Sequence, residues 1–591
     1  MTLAIFGERQ SGQDVRSANA LLCLIPISIT AALQQHPFTY RSSLGPHGLD
    51  KMLVDDIGDV IVTNDGATIL KQLEVQHPAA KVLVELSDLQ DKEVGDGTTS
   101  VVLLASELLR LSMQLIKDDL HPTAVISGYR LAMKECVRYL KSHLSVDMSK
   151  LVAADLVLSV AKTSLASKFI GAEEEFFSRL CVTAIQSVKT VTERGEVRYP
   201  VEAISILKTH GKSTRDSELV DGFALKTSRA AQGMPMVVKD AKIALLDFGL
   251  RQHRMQLGVS IQVNDPQALE KIRQQEKDIA RQRVKQVLQS GANVIITTQG
   301  IDDMCLKYFV EAGALAVRRV SKKDIRRIAK ATGGIAAAAA AAAATAAAAA
   351  ETATAGVSEA RGTVCLTMAT LEGDEVFDVS ALGTCAQVSE ERVGDWDYLF
   401  FTGCKAAKAA TIILRGANEY MLDEVERSLH DALCAVSRCM SSSSVCPGGG
   451  AVEAALSVYL EDFARTLGSR EQLAVAAFAE ALLTIPRTLA LNAALDASEL
   501  VARLRAVHAK QQCGGGEAAA AAKSASPAEV KDLQGLDLVN GKLCSSLEKG
   551  IVEATISKTK SLKFATEAAV TILRIDDFIR LAPEPERKER D

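Results

Sequence analysis

Aromatic residues are scarce in this chain of 591 residues, with one Trp, eight Tyr and 15 Phe. So few large rings give no case for a surface on which nucleobases stack. Nor does either sign of charge dominate. Lys and Arg total 68 against 73 Asp and Glu, a formal net charge of -5. Charge therefore favours neither nucleic acid nor an anionic membrane as partner. The 12 cysteines are scattered, and the tightest group is Cys434, Cys439 and Cys446. No two have C-x-x-C spacing, and no His completes a set of four, so no thiolate metal site is written in the sequence. Reduced cytosolic thiols are the expectation. The opening MTLAIFGERQ carries no basic n-region of an export signal. Residues 20–33, ALLCLIPISITAAL, are apolar, but they fall short of the roughly 20 residues that span a bilayer. Pro26 also interrupts them.

What is present is apolar material for a large core, 48% of residues against 24% charged. At about 150 residues per domain, three or four units are expected. Three stretches read as excursions from them: the Ala-rich tract 333–362, the Gly/Ala/Ser-rich loop 511–529 and the charged tail 583–591. Between these, helical and extended patterns alternate. Residues 81–90 and 100–116 place apolar side chains at helical spacing. Short apolar runs at 242–247 and 292–298 fit buried strands, as does 411–416, which ends on Gly416. Residues 422–440 follow as a helix. The stretch 265–290 opens with an Asp-Pro helix start and is heavily charged. Its few apolar anchors are Leu269, Ile272, Ile279, Val284 and Val287, which predicts a solvated, projecting helix. The class is α/β or α+β with helix in excess.

Four glycine-bearing segments carry chemistry: SSLGPHGLDK (42–51), TNDGAT (63–68), VGDGTTS (94–100) and PGGGAVE (447–453). None is a GxxxxGK[ST] loop or a GxGxxG between strand and helix. In the first, Gly45 and Gly48 permit close backbone approach, Pro46 stiffens the turn, and exposed N–H groups suit an anion. In the third, Gly97 frees the backbone while Thr98, Thr99 and Ser100 open a helix, a position suited to phosphate. In the fourth, Gly448, Gly449 and Gly450 make a wall without side chains that fits a flat ring or a sugar.

Asp96 is the anomaly, because a carboxylate repels phosphate unless a cation lies between them. Mg2+ binds through one or two carboxylates plus phosphate oxygens and water, so Asp96 predicts the metal and the metal predicts a nucleoside triphosphate. Hydrolysis then needs an acid that positions or deprotonates the attacking water. Asp65 and Asp431 are the candidates. Asp423, Glu424 and Glu426 on the same helix as Asp431 read as a solvated face.

The order of these motifs, with GIDDMCLKYFVEAGALAVRRV, RSLHDALCAV and KSLKFATEAAVTILRIDD, resembles the group II chaperonins, in particular the t-complex polypeptide family of the eukaryotic cytosolic chaperonin. The resemblance covers nearly the whole chain outside the excursions and residues 21–40. It implies an α/β multi-domain chaperonin fold. A mainly helical equatorial ATPase domain would take 1–149 and 406–591, and a hinge-like intermediate domain 150–216 and 373–405. An α/β apical substrate-binding domain would take 217–372, with 265–290 as its helical protrusion.

The resemblance further implies roles for particular residues. Leu44, Gly45 and Pro46 match the first nucleotide loop. Asp96 matches the Mg2+ ligand, and Gly97, Thr98, Thr99 and Ser100 the phosphate loop. Asp65 and Asp431 match the pair associated with hydrolysis, Gly449 the nucleoside wall and Glu553 an acid near the ribose. Ala554 stands where the family has Pro. Residues 21–40, which hold Pro26 and Pro37, replace an amphipathic helix of the family. The implied cofactors are ATP/ADP and Mg2+, with K+ a further candidate. The implied partners are seven related paralogous subunits in a hetero-octameric double ring and unfolded cytosolic clients such as actin and tubulin. Neither nucleic acid nor membrane is among them, and the location is cytoplasmic.

Overall fold

The computed structural model describes residues 41–55, 57–73, 78–148, 153–191, 195–251, 266–333, 382–404, 409–513 and 533–575. The segment 21–40, the Ala-rich tract from 334 onward, residues 514–529 of the second excursion and the tail 583–591 lie outside the described residues. The chain divides into two compact units: Met1–Arg179 with Arg427–Asp591, and Leu180–Glu426.

The first unit begins with an antiparallel hairpin, β1 (Lys51–Val54) and β2 (Val60–Thr63). Asp65 then starts α1 (Gly66–Gln72), its carboxylate accepting from the N–H groups of Ala67 and Thr68. Those are two of the donors that a helix start leaves unpaired. Next come α2 (Pro78–Glu93), α3 (Thr98–Lys117) and α4 (Pro122–Tyr139). The turn between α2 and α3 needs Gly97 at φ 76, a left-handed conformation that a side chain would strain. At α4, Pro122 occupies the first turn and His121 caps it, a start suited to a residue without N–H. β3 (Val146–Asp147), α5 (Ala153–Ala166), a 3-10 turn at Phe169–Glu173 and α6 (Glu174–Ser187) follow.

The second unit opens within α6, at Leu180, and continues with the pair β4 (Thr190–Val191) and β5 (Val197–Arg198). Then come β6 (Ile204–His210), β7 (Glu218–Val220), β8 (Gly222–Leu225), β9 (Val237–Leu246), α7 (Pro266–Gln289) and β10 (Val294–Thr297). After them lie α8 (Asp303–Glu311), β11 (Leu315–Val317), α9 (Lys322–Thr332), β12 (Gly383–Val393), β13 (Trp396–Cys404) and β14 (Ala410–Gly416). A six-stranded sheet runs β11-β10-β9-β12-β13-β8, and a three-stranded sheet runs β6-β14-β7. In the larger sheet β9, β10 and β11 are parallel, joined through α7 and α8, while β12, β13 and β8 are antiparallel. All four residues of β10, Val-Ile-Ile-Thr, are buried, as a parallel strand covered on both faces requires. Ile325 and Ile328 of α9 share one core cluster with Val294 and Ile296. Val284, Val287 and Phe309 of α7 and α8 share the other with Ile295.

The charged stretch 265–290 is therefore helical, and Ile279 is 39% exposed, yet Val284 and Val287 are fully buried. Its C-terminal half packs on the sheet. The side chains of Leu269 and Ile272 lie outside the described residues. Of the three apolar runs expected as strands, 411–416 falls within β14, 242–247 overlaps β9 up to Leu246, and 292–298 contains β10.

The chain then returns to the first unit through α10 (Glu419–Ser442) and β15 (Ser444–Pro447). α11 (Ala451–Thr466), α12 (Glu471–Leu482), α13 (Thr484–Asn492) and α14 (Ala497–Cys513) form a helical run. The hairpin β16 (Gln534–Asp537) and β17 (Lys542–Ser545), then β18 (Val552–Ala554) and α15 (Thr555–Leu573), complete it. β15 lies between β18 and β3. One core joins Leu104 and Leu108 of α3, Tyr129 of α4, Leu456 and Leu460 of α11, Phe478 of α12 and Ala569 of α15. Tyr129 meets Phe478 edge to face, 5.7 Å between ring centroids, and its hydroxyl donates to the Leu108 carbonyl at 2.9 Å. That bond satisfies the one polar group this ring buries. Among the described residues two segments are apolar and long enough to cross a membrane, Thr98–Lys117 and Glu471–Asn492, and the most apolar stretches of both are 67% and 72% buried inside the fold.

Candidate functional site

The site is assembled where helix starts and glycine turns of the first unit meet. Asp65 is 8% exposed. Besides the two backbone donors of α1, its carboxylate accepts from the hydroxyls of Thr68 at 2.8 Å and Thr98 at 3.1 Å. The TNDGAT and GDGTT segments therefore touch. The Asn64 amide donates to the Ser167 carbonyl at 2.9 Å, which brings in the turn after α5.

Lys168 sits in that turn, and sequence reasoning missed it. Its ammonium lies 2.7 Å from Asp431, with side chains only 10% and 9% exposed. Burial alone would lower the Lys168 pKa, but the carboxylates of Asp431, Asp65 and Asp96 outweigh burial and hold it above the ordinary lysine value. Burial would likewise raise Asp65. The Lys168 charge and the hydrogen bonds from Thr68 and Ala67 instead hold it below the usual carboxylate range. At Asp431 burial wins: its carboxyl is pushed well up, Asp65 and Asp96 adding to the effect and Lys168 opposing it. Asp431 is thus no solvated helix face. Of its expected solvated neighbours, Asp423 and Glu426 are half-exposed partners of Lys208 at 2.5 and 2.9 Å. Glu424 departs from that expectation and is buried at 3%.

Asp96 lies between two left-handed glycines, Gly95 at φ 80 and Gly97 at φ 76. A Cβ on Gly95 would fall 2.3 Å from the Cβ of Cys434, so the loop lies tight against α10. The Asp96 Oδ1 accepts from the Gly97 N–H at 2.7 Å. Its Oδ2 has no hydrogen bond among the described residues. Thr98 and Thr99 are buried at 6% and 9% at the start of α3, and the Thr98 hydroxyl is turned to Asp65.

The first glycine loop docks on α13. A Cβ on Gly45 would fall 2.5 Å from Leu489, and the Asn492 amide donates to the carbonyls of Arg41 and Leu44, both at 2.8 Å. The N–H groups of Leu44, Gly48 and Leu49 are already bonded to carbonyls of Arg41, Gly45 and Ser42. The free donors expected of this loop are thus reduced, and Pro46 is left exposed. Gly449 and Gly450 adopt φ 67 and 76. Their Cβ positions are closed by Leu536 at 3.2 Å and Pro486 at 2.8 Å. α13 therefore meets the first loop through Leu489 and Asn492, and the glycine wall through Pro486.

Glu553 on β18 pairs with Lys558 at 2.9 Å, and Lys558 reaches Glu453 at 2.7 Å. These three line a cleft together with Gly97, Ser100 and Ser557. Burial raises the Glu553 carboxyl, opposed by the Lys558 charge. Ala554 holds φ -70, a value a proline ring would also impose. The turn keeps that shape without proline because β18 is paired with β15, Val445 opposite Ala554. Lys168, Lys558 and Glu453 left no sequence signal of their own, since an isolated Lys or Glu reads as surface.

The donors offered are hard oxygens, and Lys168 is one ammonium among the carboxylates of Asp65, Asp96 and Asp431. That surplus of negative charge fits a divalent cation. Among the described residues no three His, Cys, Asp or Glu groups form a closed metal cage. Mg2+ held by one carboxylate, phosphate and water does not need one.

The TCP-1/cpn60 chaperonin family matches residues 39–583. T-complex protein 1 subunit alpha of Arabidopsis thaliana is 53% identical over 587 residues, 99% of this chain and 98% of the relative. The same subunit of Tetrahymena pyriformis is 52% identical over 587 residues, again 99% and 98%. Thermosome subunit beta of Archaeoglobus fulgidus is 38% identical over 543 residues, 91% of this chain and 89% of the relative. On the strength of a match across nearly its whole length, this chain belongs to the TCP-1/cpn60 chaperonin family.

Proposed function

We propose that the chain is an ATP-dependent chaperone subunit of a double-ring chaperonin, turning ATP over to close a chamber on cytosolic clients such as actin and tubulin. The observation that carries this reading is the Lys168 cluster, which gathers Asp65, Asp431 and Asp96 at the start of α3. Asp96 would hold Mg2+ through its Oδ2, and the cation supplies neutralisation of phosphate charge. Gly97, Thr98, Thr99 and Ser100 receive the phosphates at a helix N-terminus. Lys168 offers a buried positive charge beside them. K+ is a second candidate cation.

The two acids divide the work. Asp65 is occupied by four hydrogen bonds, so it orients Thr68, Thr98 and the water. Among the described residues Asp431 has Lys168 as its one side-chain partner, and its raised proton affinity suits it to take the proton of the attacking water. Leu44, Gly45, Pro46 and Gly449 bound the nucleoside side, with Glu553 toward the ribose.

The β1–β2 hairpin supports a partner of related sequence. Among the described residues it is a sheet of two strands, with Leu49, Met52, Val54 and Ile57 in and beside it from 65% to 87% exposed. A two-stranded ribbon with apolar side chains gains stability by pairing with a neighbouring chain. The reading keeps three domains, equatorial at 1–149 and 406–591, intermediate at 150–216 and 373–405 and apical at 217–372, and a cytoplasmic location. It expects a native particle near a megadalton, about sixteen chains of this length in closed symmetry. Within that particle, Asp96→Ala should weaken ATP binding only when Mg2+ is present. Equal affinity of the unaltered particle with and without Mg2+ refutes the metal role.

A further inference from the structure

Gln90 lies in the last turn of α2 and is fully buried. Its backbone carbonyl accepts from the N–H groups of Val94 and Gly95, at 2.9 and 3.2 Å. Its side-chain Nε2 donates to the Asp96 carbonyl at 2.9 Å and to the Ser561 hydroxyl of α15 at 3.2 Å. Both amide hydrogens are used, while Oε1 is buried without a partner among the described residues. The orientation of the amide follows from its neighbours, because the flipped amide would set Oε1 against the Asp96 carbonyl. A fully buried amide with an orphaned acceptor is unusual and asks for an explanation.

We propose that Gln90 is the positioning residue for the cation-binding carboxylate of Asp96. The carbonyl of Asp96 is held by Gln90, and its carboxylate Oδ1 is held by the Gly97 N–H at 2.7 Å. Fixed at both ends, the residue presents Oδ2 in one direction. Without the Gln90 donors, the 95–97 turn keeps its glycines but loses the only side chain that grips the Asp96 carbonyl among the described residues. The bond to Ser561 makes the grip depend on α15, the helix that also carries Lys558 of the cleft. This inference rests on Asp96 serving a nucleotide-bound Mg2+.

The test uses the assembled particle purified with this subunit tagged. Photolabelling by azido-ATP is followed on this subunit alone, across a Mg2+ titration. Gln90→Met keeps length and removes both donors. The Mg2+ concentration for half-labelling should rise by about tenfold or more, the scale on which groups supporting a metal ligand act. Labelling at saturating Mg2+, and in its absence, should match the unaltered subunit. Ser561→Ala removes the second contact alone and should give a smaller shift in the same direction. An unchanged midpoint in Gln90→Met, or an equal loss of labelling at every Mg2+ level, overturns the proposal. If Gln90→Met does not enter the particle, an unchanged midpoint in Ser561→Ala overturns it instead. An unaltered subunit that labels without regard to Mg2+ overturns the nucleotide reading and this inference with it. A Mg2+-dependent unaltered subunit with indifferent variants overturns the inference alone.

Discussion

Lys168 shows how much of the site depends on a single charge. One ammonium offsets the carboxylates of Asp431, Asp65 and Asp96 in a nearly dry place. Lys168→Met leaves those carboxylates facing one another, and breaking a buried pair from one side costs about 3–5 kcal/mol. Thermal unfolding should show that loss. Lowering the pH should partly restore the variant, because a carboxyl whose folded proton affinity is raised gains stability as it protonates. A variant as stable as the parent at pH 7 contradicts the cluster. In the unaltered protein the contribution of Lys168 runs the other way. Its folded pKa lies above the ordinary lysine value of 10.5. Its charge therefore stabilises fully below pH 10.5 and is lost as pH rises through the higher folded value.

Between elements, a test outside the site is Gly128 on α4. A Cβ there would lie 2.6 Å from the Ala474 Cβ and 3.0 Å from the Glu471 carbonyl of α12. Gly128→Val should force the helices apart at a cost of about 1–3 kcal/mol, read as a lower unfolding midpoint. The β16–β17 hairpin behaves differently, because it is held by charge. Asp537 accepts from the Val539 and Asn540 backbones, from the Asn540 amide and from Lys549. The Lys549 and Asn540 bonds hold its carboxyl down to about 2. A depressed carboxylate stabilises above its unfolded value near 3.8 and stops doing so as pH falls toward 2. Hydrogen exchange in β16 and β17 should therefore rise in that acid window, and Asp537→Asn should remove the pH dependence. Element types were legible in the sequence. The helices at 81–90, 100–116 and 422–440 and the strands at 242–247, 292–298 and 411–416 are all present. Each is long or apolar enough for its pattern to decide. The partnerships were not legible. Nothing near Lys168 in the chain announces Asp431, and nothing near Gln90 announces Asp96 as its acceptor. Glu424 read as solvated because charge on a helix usually is, and tertiary packing overrode that expectation.

At the scale of the whole molecule, three of the four glycine motifs were legible because they impose a backbone shape that favours glycine. Gly97, Gly449 and Gly450 all take positive φ. What local pattern could not supply is that α13 meets two of these motifs, gripping the first loop by Asn492 and the glycine wall by Pro486. Assembly should depend on the exposed hairpin. Met52→Asp with Ile57→Asp should leave the fold of the single chain intact and exclude it from the megadalton particle, as native mass would show. Incorporation at the parental level contradicts the hairpin as a contact. The claim that this subunit is itself a motor is tested most directly by the fate of the γ-phosphate on this subunit. Particles carrying the unaltered chain or Asp431→Ala are loaded with γ-labelled azido-ATP and Mg2+, photolysed at intervals, and the tagged subunit is isolated. The unaltered subunit should lose the γ-label with time. Asp431→Ala should bind equally but lose it at least about a hundredfold more slowly, the scale of a missing general base. Loss of the label at the same rate in both contradicts the account.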